Sequence, residues 1–222
     1  VLGGGTMGTG IAGLCAQHGC RVIMLDISME AAEKAMERIV SGRPPVLDDA
    51  KKADNITLGS LDDDLKKIAD YDWICEAVIE DPGVKRELMA RIGPLMSDGS
   101  VVSTNTSGIP LRDITNGMHK HLRRNIAVTH FFNPVKVMRL MELVPGTDTD
   151  GDVIEALSSF CGRTLGKGVV HAKDTVNFIG NRIGCFWMLM GLHQAEEARD
   201  AGLSTEMIDA LMSTPFGLPS TG

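Results

Sequence analysis

Two residues in the second half of the chain could together take up a proton. His130 closes the segment Asn125-Ile-Ala-Val-Thr-His130, and Glu142 lies inside the next apolar segment, Leu140-Met-Glu-Leu-Val144. If both segments are strands of a hairpin that turns near Lys136, paired positions sum to 272 and His130 faces Glu142. A carboxylate beside an imidazole fixes its tautomer and steadies the imidazolium that forms when the ring accepts a proton. The pair would serve as a general base. A histidine alone at a strand end is more often structural, and the case for catalysis rests on the carboxylate partner and on a second set of residues near the start of the chain.

That set is Gly3-x-Gly5-x-x-Gly8, with Thr6 and Met7 inside it, followed by a helical stretch from Thr9 to His18. Gly19 suits the helix end, and Arg21-Val-Ile-Met-Leu25 reads as a strand covered on both faces. Asp26 follows at once, 18 positions after Gly8. The glycine spacing alone is a weak signal, but between a strand and a helix, with an acidic residue at this distance, it fits a dinucleotide site. Gly3 would make the tight turn, Gly5 would let the backbone approach a pyrophosphate, and Gly8 would let the helix pack on the strand. The helix N-terminus offers N–H groups to the phosphates. Asp26 would bond both ribose hydroxyls and repel a 2′-phosphate, and no Arg occupies the next two positions, so NAD is favoured over NADP. The competing reading is a glycine turn in an α/β fold that holds no cofactor.

Other candidates are less specific. Ser107, in Asn105-Thr-Ser-Gly108 after a strand, suits either a ligand-binding loop or ordinary turn chemistry. Asn181 is polar among Ile179, Ile183, Phe186 and Trp187, so its amide needs a partner in the protein or a ligand. His119-Lys-His121 reads as solvated loop, and no metal site is expected. The 13 methionines most simply fill a core.

Composition removes other classes. The 222 residues are 43% hydrophobic, too apolar for a disordered polymer. With 29 acidic against 22 basic residues the net charge is −7, which argues against a nucleic-acid groove. The longest apolar stretch, near Gly184–Leu192, is too short to span a bilayer, and no signal-peptide pattern opens the chain. Five cysteines, odd in number and without C-x-x-C spacing, favour a reducing compartment, the cytoplasm.

Strands alternate with helices up to about residue 172. Expected strands are 73–78, 100–103, 125–130, 140–144 and 168–171, with helices from Ser28, from Pro82 to about Met96, over 110–116 and over 150–165. In the helix after Ser28, Met29, Ala32, Met36, Ile39 and Val40 should share the buried face, and Gly42-Arg-Pro-Pro45 should end it. Residues 46–70 alternate acidic and basic groups and read as a solvated surface excursion, with docking of an anionic ligand tail as the second reading; a short strand over 55–58 is the one element expected there. Beyond Lys173 only helical patterns remain, including one over 178–201 whose apolar side (Phe178, Ile183, Trp187, Met190) should want a partner. The fold class is α/β: a Rossmann-type, doubly wound, mostly parallel sheet over 1–172, followed over 173–222 by the beginning of an all-helical domain. Val1-Leu2 is too short for a strand, and no compact closure follows the last helical segment, so the chain reads as a piece of something longer.

Several blocks occur together that resemble the L-3-hydroxyacyl-CoA dehydrogenases of fatty-acid β-oxidation. They are Gly3-x-Gly-x-Met-Gly8, Glu76-Ala-Val-Ile-Glu80, Asn105-Thr-Ser107, His130-Phe-Phe-Asn-Pro134, Met141-Glu142, Leu165-Gly-Lys167, Lys173-Asp-Thr175 and Phe178-Ile-x-Asn-Arg182. They keep the family's order across nearly the whole chain. Leu165–Val170, Asn181–Gly184 and Gly217-Leu-Pro-Ser-Thr221 look most like a bifunctional type in which an enoyl-CoA hydratase module follows. The resemblance implies NAD-dependent oxidation of L-3-hydroxyacyl-CoA. It makes His130 the base, Glu142 its partner, Ser107 a contact to the substrate 3-oxygen and Asn181 an amide near the acyl group. It makes Asp26, Glu80, Lys85, Ser107 and Asn133 cofactor contacts, and it implies an acyl-CoA thioester substrate, a homodimer or a hydratase fusion. No CoA contact is carried over, because residues 43–70 do not match. Two other readings are a dehydrogenase of a different small hydroxyacid and a chain that binds NAD(H) without turnover.

Overall fold

Leu2 is the point at which the sheet joins. In a computed structural model that describes every residue except Arg43, Pro44, Thr214, Phe216 and 218–222, Leu2 bridges in parallel to both Leu25 and Glu76. It is fully buried. The Arg43-Pro44 part of the expected helix stop, and 218–221 of the bifunctional-type ending, lie outside the described residues. The chain divides into two units, Val1–Phe178 and Ile179–Gly222.

In the first unit, helix α1 (Thr6–Gln17) leads to β1 (Val22–Asp26) and helix α2 (Met29–Ser41). α1 starts three residues earlier than expected, because Thr6-Met-Gly8 of the glycine turn already forms its first turn. Gly19, at φ 83°, follows its end. The Ser28 hydroxyl accepts from the Ala31 N–H and starts α2. The buried face of α2 is Ala32, Ala35 and Ile39; Met29 and Val40 are exposed. Small alanines are needed there because α2 lies close to the glycine turn: a Cβ on Gly4 would stand 2.6 Å from the Ala35 methyl.

Residues 46–70 correct the expected surface excursion. They hold a 3₁₀ turn over 50–55, strand β2 (Ile56–Ser60) and a second 3₁₀ turn over 65–70. β2 pairs in parallel with β1, from Val22 opposite Ile56 to Asp26 opposite Ser60. Leu61, Leu65 and Ile68 enter the core beside Ile23 and Leu25. The charges are the solvated side of elements whose apolar side is carried by isolated residues.

Strand β3 (Trp73–Glu76), helix α3 (Pro82–Ile92) and strand β4 (Val101–Thr104) follow. Asp81 accepts from the Val84 N–H and Pro82 occupies the first turn of α3, which ends at Ile92, before the expected Met96. Short helices α4 (Leu111–Thr115) and α5 (Lys120–Arg124) lead to β5 (Ile126–Phe131) and β6 (Leu140–Pro145). Helix α6 (Gly151–Ser159) runs into a π-helical turn over 160–164, and β7 (Gly168–His171) closes the sheet. β3, β4 and β5 pair in parallel; β6 is antiparallel to β5 and parallel to β7. One apolar layer, from α1, α2 and α6, covers one face, and a second, from α3, α4 and 61–68, covers the other. That is the doubly wound arrangement, mostly parallel with one reversed strand.

The first unit runs past the boundary expected at 172, because Ala172 and Phe178 are buried in its second layer. The second unit holds helices α7 (Gly180–Asp200) and α8 (Thr205–Ser213). Phe178 precedes α7 and is buried, so it is not part of an apolar face of that helix; Ile183, Phe186 and Leu189 are exposed. No described helix is long and apolar enough to cross a membrane.

Candidate active site

The carboxyl ends of β1, β3, β4 and β5 bring together most of the residues singled out from the sequence. At β1 the glycine turn is built tightly. Gly3 has φ 98°, and a Cβ on it would fall 2.6 Å from the Ala77 carbonyl oxygen. A Cβ on Gly8 would fall 1.8 Å from the Gly3 carbonyl oxygen, so only glycine lets α1 start there. At Gly5 a Cβ would meet nothing within 4 Å, so open space faces the middle of the turn. Gly5 caps α1 without a side-chain hydrogen bond, and no acidic residue lies in the first turn. That leaves the helix N-terminus fit for an anion.

Asp26 stands beside this turn. Its Oδ2 accepts from the Gly4 N–H at 2.8 Å and its Oδ1 from the Ile27 N–H at 2.7 Å. These bonds aim the carboxylate and leave each oxygen a second lone pair for a ribose hydroxyl. Gly4 matters here in a way the glycine spacing does not show: a Cβ on it would stand 2.7 Å from that Oδ2. Arg38 of α2 also donates to the Gly4 carbonyl, a contact no motif signals. An open cradle, an anion-ready helix end and an oriented carboxylate fit a dinucleotide.

The next strand ends hold a buried charge cluster. Glu76 and Lys85 are almost fully buried and lie 2.8 Å apart. Glu76 also accepts from the Thr104 hydroxyl at 2.6 Å and the Val78 N–H at 2.7 Å. Lys85 reaches Glu80 at 3.3 Å as well. Glu80 accepts from the Thr106 hydroxyl at 2.6 Å, the Ser107 N–H at 2.7 Å and the Gly108 N–H at 3.3 Å. Burial opposes charge on Glu80, but the Thr106 hydroxyl, the Ser107 N–H and the Lys85 ammonium outweigh it and hold the carboxyl below its ordinary range. Lys85 is thus turned inward beneath the loop, where it lies against Glu80, and Ser107 is exposed. Asn105, buried beside it, accepts from the Phe131 N–H at 2.9 Å and ties β4 to β5.

His130 and Glu142 are paired across β5 and β6 in the register read from their spacing. His130 Nδ1 lies 2.7 Å from Glu142 Oε2, and both side chains are buried. With Nδ1–H donated to the carboxylate, Nε2 is left as an acceptor. The turn that joins the strands is braced by Lys167, a buried ammonium that donates to the carbonyls of Val135 and Met138. Val135 in turn packs where a Cβ on Gly10 of α1 would be, 2.8 Å away, which links the hairpin to the glycine helix. Lys167 is a residue the sequence reading leaves without a role. Asn133 is exposed just beyond β5. Asn181 lies in the first turn of α7, in the second unit. Among the described residues no group of three or more His, Cys, Asp or Glu could hold a metal.

Comparison with known proteins gives the family. Residues 1–175 match the family model for the 3-hydroxyacyl-CoA dehydrogenase, NAD binding domain. A probable 3-hydroxyacyl-CoA dehydrogenase of Bacillus subtilis is 35% identical over 242 residues, covering all of this chain and 30% of that protein. A putative fatty acid oxidation complex trifunctional enzyme of Rickettsia felis is 34% identical, covering all of this chain and 31% of that one. The chain thus spans about a third of the length of these relatives. A solved 3-hydroxybutyryl-CoA dehydrogenase from Escherichia coli superposes with a TM-score of 0.80 at 31% identity, over 89% of this chain and 42% of that one. With four-fifths of its length in the family's NAD-binding domain, this chain belongs to the 3-hydroxyacyl-CoA dehydrogenases.

Proposed function

We propose that this site oxidises the 3-hydroxyl of an L-3-hydroxyacyl-CoA thioester to the 3-oxo product, within fatty-acid β-oxidation. The observation that carries the reading is the buried His130–Glu142 pair at the carboxyl end of β5. The names of the Bacillus and Escherichia relatives support the substrate class.

Each residue then has a task. The turn over 3–8 and Asp26 hold NAD, which supplies the hydride acceptor. His130 Nε2 takes the hydroxyl proton, and the ring becomes a cation. Glu142 holds Nδ1–H throughout and stabilises that cation. Ser107 contacts the substrate 3-oxygen, and Asn181 supplies an amide to the acyl group. Glu80, braced by Lys85, shapes the loop that presents Ser107, and Asn133 completes the cofactor's surroundings. The second unit is the start of the helical substrate and dimerisation domain, and its exposed Ile183, Phe186 and Leu189 support a partner surface. A following hydratase module in the parent protein draws support from the trifunctional relative. An odd set of cysteines without metal-type spacing supports the cytoplasm.

A positioned general base contributes about 10²–10⁴ in rate. His130→Gln should therefore lower turnover of acetoacetyl-CoA with NADH by about a thousandfold and leave NADH binding within twofold. Retention of most of the activity contradicts the assignment. Turnover of free hydroxyacids in preference to the thioester would move the reading to another hydroxyacid dehydrogenase.

A further inference from the structure

The strap that follows β7, residues 172–178, carries two backbone conformations that L side chains rarely adopt. Asn177 has φ 61° and Phe178 has φ 42°. Strain of this kind persists only where surrounding contacts hold it. Asp174 supplies one anchor. It accepts from the Leu111 N–H at 2.6 Å and the Arg112 N–H at 3.1 Å, at the start of α4, and Arg112 donates back to its carbonyl at 3.1 Å. Asn177 supplies a second: its amide oxygen stands 2.7 Å from where a Cβ on Gly108 would be, against the turn that presents Ser107. Phe178 is the third. It is 2% exposed, and its ring centroid lies 5.8 Å from the His130 imidazole at an interplanar angle of 55°. Phe132 lies 4.5 Å from the same imidazole at 53°.

His130 makes one hydrogen bond among the described residues, from Nδ1 to Glu142. This bond constrains Nδ1 but, with Cβ tethered to the chain, still permits a coupled χ1/χ2 swing of the ring. Such a swing would sweep Nε2 away from a bound hydroxyl. Two tilted aromatic rings remove that freedom and exclude water from the bond. We propose that Phe178 is a positioning residue, which together with Phe132 clamps the imidazole so that Nε2 keeps one direction. The strained Asn177–Phe178 backbone, anchored through Asp174, is what delivers the ring. The proposal deepens the reading of His130 as the base and rests on it for its catalytic consequence.

The test reads the Nδ1–H proton of His130 by NMR in the ¹⁵N-labelled chain, together with its exchange with water. In the unsubstituted chain this proton should be visible and slow to exchange. Phe178→Leu keeps an apolar side chain and removes the ring; exchange should become at least about tenfold faster. Asp174→Ala, which frees the strap from α4, should act in the same direction with a smaller factor. Leu157→Ala, a core substitution in the other apolar layer, should lower thermal stability yet leave the exchange unchanged. In turnover, Phe178→Leu should lower kcat about tenfold with KM within about twofold, the pattern of lost orientation. An unchanged exchange rate in Phe178→Leu, equal acceleration by Leu157→Ala, or no visible proton in the unsubstituted chain overturns the clamp. If the exchange responds as expected while His130→Gln keeps its turnover, the clamp stands and the assignment of the base falls.

Discussion

At the scale of single residues, the glycines of the turn differ in what the protein itself asks of them. Gly8 is required by the protein, since a Cβ there would overlap the Gly3 carbonyl. Nothing within the protein requires glycine at Gly5, where φ is −67° and a Cβ would face open space. Gly5→Ala should therefore fold with a melting temperature within about 2 °C of the parent and lose NADH affinity by at least about tenfold. Gly8→Ala should fail to give folded protein. Calorimetry and fluorescence titration of the two variants check the distinction, and an unchanged affinity in Gly5→Ala would remove the turn from the cofactor site. The packing demand at Gly8 was legible in the sequence, as was the pairing of His130 with Glu142, because strand register depends on simple spacing. The contacts of Gly4, Arg38, Lys167 and Asp174 were not. Each depends on a long-range approach between segments that no local pattern encodes.

At the scale of elements, the ends of β3 and β4 are held by an ion pair rather than by apolar packing. Glu76 and Lys85 are both buried, with Thr104, Val78 and Glu80 completing their hydrogen bonds. Removing one partner of such a pair leaves the other charge buried alone and costs about 3–5 kcal/mol. Lys85→Met should lower stability in urea by about that amount, and should weaken NADH binding because Glu80 and the Ser107 loop lose their brace. A loss under about 1 kcal/mol would show that Glu76 finds another partner or a proton. The strands and helices of this region were readable from apolar runs and capping residues such as Ser28 and Asp81. β2 was legible as a short strand at 55–58, but the two 3₁₀ turns and their buried side were misread, since Leu61, Leu65 and Ile68 are spaced too widely among charges to give a periodic signal. Phe178 was misplaced for the opposite reason: it continues the apolar pattern of α7 in sequence but turns away from the helix at a positive φ.

At the scale of the whole molecule, the first unit gathers residues from the start of the chain and from more than a hundred positions later onto one edge of a doubly wound sheet. Alternation of strands and helices made that architecture legible. The extent of the first unit was less so, because Ala172 and Phe178 join its core after the last strand. The second unit carries its apolar residues exposed, and the packing they require is the least legible part of the chain. In the proposed mechanism His130 and Glu142 act as one unit in proton transfer. Turnover of acetoacetyl-CoA with NADH by the unsubstituted chain, His130→Gln, Glu142→Gln and the double variant tests it directly. The double variant should be no slower than His130→Gln alone, because the carboxylate acts only through the imidazole. If the two losses multiply, Glu142 acts independently of the base, and the arrangement proposed here is wrong.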